Sequence, residues 1–349
     1  MKKITKKILY VAAALATFLL VISTFASEKP VSFPDVPVGS CCYDAITYFA
    51  GKGVVSAQKD GRFHPDDILT SEEWNNVLSS LHPSFPQSTP SPAPASSAGI
   101  YKSIWAMAGV KTYTAKDYGF DSDLDAGTTA MAVTGLIHRN DVRRPTITRG
   151  EALRLLYEVT VKKSVTVPSS LADLFSVSIA EGCDADLEQL IRSILAKFPN
   201  NQLSLMLAYK YSVAVLPELA EDPTGRMEQL GYVDEGQHII YLKESGISQA
   251  LSHEVGHVIE ACNVSYSKTW ELNKAEGAAA VVLLGKYAGK NANEFIAEST
   301  RYFIENVGDE TAMTAMQTSM PKTYEHLASV MNTEPFLNES QFLDIAFEN

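Results

Sequence analysis

His253-Glu254-Val255-Gly256-His257 lies within an apolar pattern, Leu251, Val255, Val258, Ile259 and Cys262, whose spacing is that of a packed helix. At about 3.6 residues per turn, two histidines four apart project from one face, where both imidazoles can reach a single Zn²⁺ at about 2.0 to 2.1 Å. Glu254 then flanks the metal. A carboxylate there can take a proton from a water whose pKa the metal lowers to about 7, and pass it to a leaving amine. The stretch reads as the helix of a zinc hydrolase.

Such a site needs a third protein ligand, usually a carboxylate from a second helix, with the fourth position left to water. Asn293-Glu294-Phe295-Ile296-Ala297-Glu298-Ser299-Thr300-Arg301-Tyr302-Phe303 offers one. Phe295, Ile296, Tyr302 and Phe303 form an apolar stripe, whereas Glu294, Glu298 and Arg301 share another helical face. One glutamate can bind metal while the other, a turn away, accepts the N–H of a ligating histidine. The same face also has the pattern of a solvated surface with a Glu298–Arg301 pair.

The order and spacing of these residues resemble the anthrax-lethal-factor-like zinc peptidases, which include the Pro-Pro endopeptidases of Gram-positive bacteria. In that family a His-Glu-x-Gly-His helix precedes a Glu-Phe-hydrophobic-Ala-Glu helix, with a tyrosine seven residues before the first of those glutamates, here Tyr287. A Pro-Lys-Thr-aromatic run follows, here Pro321-Lys322-Thr323-Tyr324. The resemblance covers roughly residues 165–349. It implies an α+β zincin-like domain of gluzincin type holding one Zn²⁺. It further implies Glu294 as third ligand, Glu298 as the carboxylate behind a ligand, and Tyr287 as hydroxyl donor to the oxyanion.

Upstream, Asp234-Glu235-Gly236 has turn chemistry and Gln237 to Lys243 is rich in strand formers, which predicts a hairpin. In zinc peptidases of this type an edge strand pairs with an extended substrate, and the run from Gln237 to Lys243 is the expected partner. His238 is expected to pack in the sheet or face solvent rather than bind metal. No tryptophan lies between Met206 and Gly231 to stack on substrate. Trp270 is the only one in the region.

The N-terminus carries Lys2, Lys3, Lys6 and Lys7, an apolar run from Ile8 to Ile22, and Thr24-Phe25-Ala26, the pattern of a secretory signal peptide over residues 1–26. An uncleaved anchor is the alternative. The 46% hydrophobic content argues for folded domains, and the formal charge of −12, more acidic still without the leader, argues against a nucleic-acid partner. Cys41, Cys42, Cys183 and Cys262 make no metal pattern, and no disulfide framework is expected. Cys262 is expected to be a buried thiol on the metal helix.

Residues 30–82 are similar to an S-layer homology (SLH) repeat, through Ser32-Phe33-Pro34-Asp35-Val36-Pro37, Gly61-Arg62-Phe63-His64-Pro65 and Leu69-Thr70-Ser71-Glu72-Glu73-Trp74. Such repeats are small all-α units that bind cell-wall polysaccharide. Cys41 stands where an aromatic is usual, and Ser71 where the polymer-binding arginine is usual. The Pro- and Ser-rich stretch 83–99 reads as a linker. A second SLH-like module, residues 100–162, closes on Ile147-Thr148-Arg149-Gly150-Glu151-Ala152-Leu153. Arg149 is the candidate wall ligand; capping or ion pairing at a helix start is its alternative role.

The combined expectation is a secreted zinc endopeptidase retained at a Gram-positive cell envelope or S-layer. By resemblance its substrate is a proline-containing surface protein, and cell-wall polysaccharide is a second partner. A noncatalytic wall-binding protein on a peptidase-like scaffold is the alternative.

Overall fold

The computed structural model describes residues 31–85, 91–184, 186–219, 229–263, 266–332 and 337–348, and the leader-like segment lies outside them. Two compact units emerge. The first comprises the described residues up to 109 together with 144–165, and the second comprises 110–143 and 166 onward. The sequence reading assigned 100–162 to one module; the contacts instead group 110–143 with the C-terminal part.

The first unit contains helices α1 (Tyr43–Gly51), α2 (Ser71–Leu81), α3 (Ser97–Ala108) and α5 (Arg149–Tyr157). Three of them start alike. Thr70, Ser96 and Thr148 each turn a hydroxyl onto a backbone N–H of the first turn, satisfying a donor that the helix cannot. The short segments before these caps pair with one another, Ile68 with Thr148, Thr70 with Pro94, and Ser96 with Thr146. Part of the stretch read as linker is therefore structural. Ile46, Phe49, Phe63, Trp105, Ile147 and Leu156 fill the core.

In the second unit, helix α4 (Ala126–Val133) and the segments beside it are tied to the C-terminal helix α13 (Glu339–Glu348). Ser122 and Arg143 hydrogen-bond Glu339 and the Phe120 and Phe342 rings meet at 5.1 Å. Tyr118 donates to Pro168 O at 2.6 Å, and Asn200 to Asp117 O at 2.6 Å. Composition does not announce this arrangement, because its hydrogen bonds join residues 50 to 217 positions apart in the chain.

A four-stranded sheet gives the unit its α+β character. β1 (Val177–Ile179) pairs parallel with β2 (Ser212–Leu216), β2 pairs parallel with β4 (Ile239–Lys243), and β4 pairs antiparallel with β3 (Gly231–Asp234), in the order β1-β2-β4-β3. Val213 and Val215 register with Ile240 and Leu242, and all four are buried. The hairpin turn is closed by Asp234, whose Oδ1 accepts from Gly236 and Gln237 N–H. His238 adopts a positive φ of 56° in that turn and packs on the Tyr211 ring at 4.9 Å. The strand run expected to meet substrate lies inside the sheet, hydrogen-bonded on both sides. Of the hairpin's two strands, the one at a sheet edge is β3.

Helix α8 (Ile247–Asn263) crosses this sheet and packs against β3, β4, α6 (Leu187–Leu195), α7 (Asn200–Ala208) and α10 (Ala292–Asn306). Leu251, Val255, Val258 and Ile259 are buried as the pattern predicts, whereas Cys262 is only half-buried. The four cysteines are free thiols. Gly256 permits the α8–α10 approach: a Cβ there would lie 3.0 Å from Ala297 Cα and O and 3.1 Å from Thr300 Cβ. Helices α9 (Tyr266–Leu284), α11 (Glu310–Ser319) and α12 (Pro321–Met331) complete the unit. Pro321 opens α12, and buried Glu276 of α9 accepts from Lys322 N, Thr323 N and Thr323 Oγ1 at 2.6 to 2.9 Å. The Pro-Lys-Thr run is thus a helix start capped from a neighbouring helix.

Candidate metal centre

Helix α8 presents His253, Glu254 and His257 on the wall of a cavity of about 800 Å³, and α10 presents Glu294 and Glu298 across from them. The N-terminus of α10 is set by Asn291, whose Oδ1 accepts from Glu294 N at 2.9 Å. This fixes the backbone of Glu294 in the first helical turn.

Three donor atoms converge. His253 Nε2 lies 3.1 Å from His257 Nε2 and 3.1 Å from Glu294 Oε2, and His257 Nε2 lies 3.5 Å from Glu294 Oε2. Ligands about 2.0 to 2.1 Å from a tetrahedral ion stand roughly 3.3 Å apart, so these separations fit a zinc-sized cation. His253, His257 and Glu294 also form the one metal-capable group of His, Cys, Asp or Glu among the described residues.

The far side of His253 is equally specified. Its Nδ1 lies 2.7 Å from Glu298 Oε1, which orients the ring with Nε2 toward Glu294. Arg301 holds the other oxygen of Glu298 at 2.6 Å. Glu298 thus stands behind His253 and Glu294 among the converging donor atoms, and the solvated-surface reading of this face does not describe it: Glu298 is 7% exposed.

The charges respond to this convergence. Burial opposes a charged His253, yet its hydrogen bonds to Glu294 and Glu298 prevail and push its pKa up to about 9. Burial likewise opposes ionised Glu294 and Glu298, but the histidines, Lys290 and Arg301 hold both carboxyls below their usual range. Glu254 behaves differently: burial raises its pKa, with the nearby histidines opposing. A base of raised affinity for protons is suited to accept one near neutral pH.

Tyr287 lies in a short 3₁₀ turn, Lys286–Gly289, with its ring 5.6 Å from that of His253. Burial and the Glu294 charge raise its pKa, keeping the hydroxyl a donor. Two residues of the site were absent from the sequence reading. Gly231, opening β3, has no room for a side chain, since a Cβ would lie 2.9 Å from Glu254 Oε1 and 3.1 Å from Ala250 Cβ. Lys290 places Nζ 3.1 Å from Glu294 Oε1 and 5.0 Å from the Tyr287 ring centre. A strand-opening glycine carries no distinctive signal; a lysine four residues before a candidate ligand does.

Arg149 is 9% exposed on the wall of a separate cavity of about 220 Å³ within the first unit. Its guanidinium lies over the Phe63 ring at 4.6 Å and 3.6 Å from Glu73 Oε1. The Gln58 amide oxygen, turned toward it, accepts at 2.5 and 3.1 Å.

No protein-family model matches the chain, and no curated protein matches it. Among solved structures, the Pro-Pro endopeptidase PPEP-2 from Paenibacillus alvei is similar over 46% of this chain and 100% of that one, with a TM-score of 0.37 and 16% identity.

Proposed function

We propose that this protein is a zinc-dependent endopeptidase of gluzincin type. The observation that carries the reading is the convergence of His253 Nε2, His257 Nε2 and Glu294 Oε2 at tetrahedral spacing, with Glu254 lining the same cavity. Zinc, when bound, supplies Lewis-acid activation of water and of the scissile carbonyl. Glu254 takes the proton of the attacking water and returns it to the leaving amine. Tyr287 donates to the developing oxyanion from the opposite wall. Glu298 fixes the orientation of His253.

The substrate under this proposal is an extended peptide lying along β3. That strand pairs with β4 on one side, and Gly231, Tyr232 and Val233 line the same cavity as the metal ligands. An extended segment can therefore add to the sheet beside Glu254. Proline-containing surface proteins are the class named by resemblance, and a pre-extended proline-rich segment loses less conformational entropy on entering such a cleft. Export, retention at the cell envelope and polysaccharide binding at Arg149 belong to the same proposal. The leader pattern and the Arg149 cavity support them.

Digestion of a diverse peptide library by the full-length protein with zinc, read by mass spectrometry, tests the assignment. Cleavage at internal peptide bonds is expected, with proline beside the scissile bond. Cleavage without proline enrichment would remove the specificity and leave the peptidase. No cleavage by zinc-loaded protein would favour the noncatalytic scaffold.

A further inference from the structure

Lys290 stands one residue before the N-cap of α10. A positive charge there opposes the helix dipole, and a lysine four residues before a glutamate is the weaker orientation of such a pair. Helix stability gives no reason for lysine at this position. The metal centre does.

The two oxygens of Glu294 have different neighbours. Oε2 faces the imidazoles at 3.1 and 3.5 Å, whereas Oε1 is 3.1 Å from Lys290 Nζ. The Glu294 side chain is 13% exposed, so water is a poor competitor for Oε1, while Lys290 itself reaches in from solvent at 54% exposure. Asn291 holds the backbone of Glu294, and at the end of the side chain Lys290 opposes rotation of the carboxylate through a charge-assisted hydrogen bond.

We infer that Lys290 is a positioning residue that keeps Glu294 a one-oxygen ligand, leaving the fourth position of the metal open. The inference rests on the zinc-site reading above. A catalytic zinc site has three protein ligands and one open position, which water or substrate must enter. A glutamate free to turn both oxygens inward would fill that position itself. The same ammonium lies against the Tyr287 ring, so one side chain sets both the ligand and the wall that carries the oxyanion donor.

Cobalt substitution of the full-length protein tests this directly, because Co²⁺ absorbs strongly in the visible when four-coordinate and weakly when a further ligand is added. Wild type, Lys290→Met and Lys290→Arg are loaded with Co²⁺, and metal content and visible absorption are read on the same samples. Lys290→Met, which retains the stem and loses the donor, is expected to hold stoichiometric metal with a marked loss of band intensity. Lys290→Arg should keep the intense bands. X-ray absorption of the zinc forms should show one additional oxygen neighbour in Lys290→Met alone. An unchanged absorption spectrum in Lys290→Met overturns the inference. Failure of wild type to take up Co²⁺ would instead sink the metal-centre reading beneath it.

Discussion

Arg149 in the first unit and Glu294 in the second are both charged groups held largely out of water, but their surroundings differ in kind. Around Arg149 the neighbours are complementary: a carboxylate, an amide oxygen and an aromatic face. Around Glu294 Oε2 they are two imidazole nitrogens, so three lone-pair donors point at one another. In the first arrangement the protein's own groups balance the charge, and the guanidinium still lines a cavity. The second has the donor set that a cation would complete. Burial alone thus marks neither group as chemical; the sign of what surrounds it does.

The comparison breaks most sharply at Glu254. Glu254→Gln keeps shape and zinc while removing the base, and turnover should fall by at least about a hundredfold, within the roughly 10² to 10⁴ that general acid–base catalysis contributes. Wild-type turnover in the purified variant would mean that another group moves the proton. Next come the two glutamates of α10. Glu298→Ala should weaken zinc about 10- to 100-fold by releasing His253, and Glu294→Ala should cost more by removing a ligand. If zinc titration ranks them the other way, their roles must be exchanged.

Packing effects are smaller. Gly256→Val would drive a side chain into Ala297 and Thr300 of α10, and overpacking of this kind costs about 1 to 3 kcal/mol. A lowered thermal midpoint accompanied by weaker zinc binding is expected. An unchanged midpoint would show that the α8–α10 contact has slack.

Smallest is an effect in the self-satisfied first unit. Burial pushes the Asp35 carboxyl up, but the N–H groups of Phe63 at 2.9 Å and His64 at 2.6 Å, donating to it, together outweigh that penalty and hold its pKa below the usual value. A depressed folded-state pKa stabilises the unit above the unfolded value and ceases to do so on acidification. Asp35→Ala should therefore lower stability at neutral pH, and the deficit should begin to shrink below about pH 4 and vanish only below the depressed folded-state pKa. A deficit equally large in acid, measured by urea unfolding, would assign the loss to packing.

Much of the second unit's centre was legible because it is written in helical spacing. The apolar set around His253 and the four-residue spacing of Glu294 and Glu298 fix which helix face each side chain occupies, whereas Tyr287, in a 3₁₀ turn outside the helix, was pointed to by the family resemblance; the structure brings these residues to one cavity. Strand neighbours are not written that way. The alternation of Gln237 to Lys243 identifies a strand, yet nothing in it states that β2 covers one side and β3 the other, so the edge was assigned to the wrong member of the hairpin. The membership of 110–143 was hidden for a similar reason, since its partners in α13 lie some 200 residues away. Lys290 was legible only as a contradiction, a cation placed where a helix disfavours one.

The account turns most directly on zinc itself. Calorimetric titration of the metal-stripped full-length protein should give one Zn²⁺ per chain, and His253→Ala, His257→Ala in combination should abolish that site. Stoichiometric, equally tight zinc in the double variant, or none in the wild type, would contradict it.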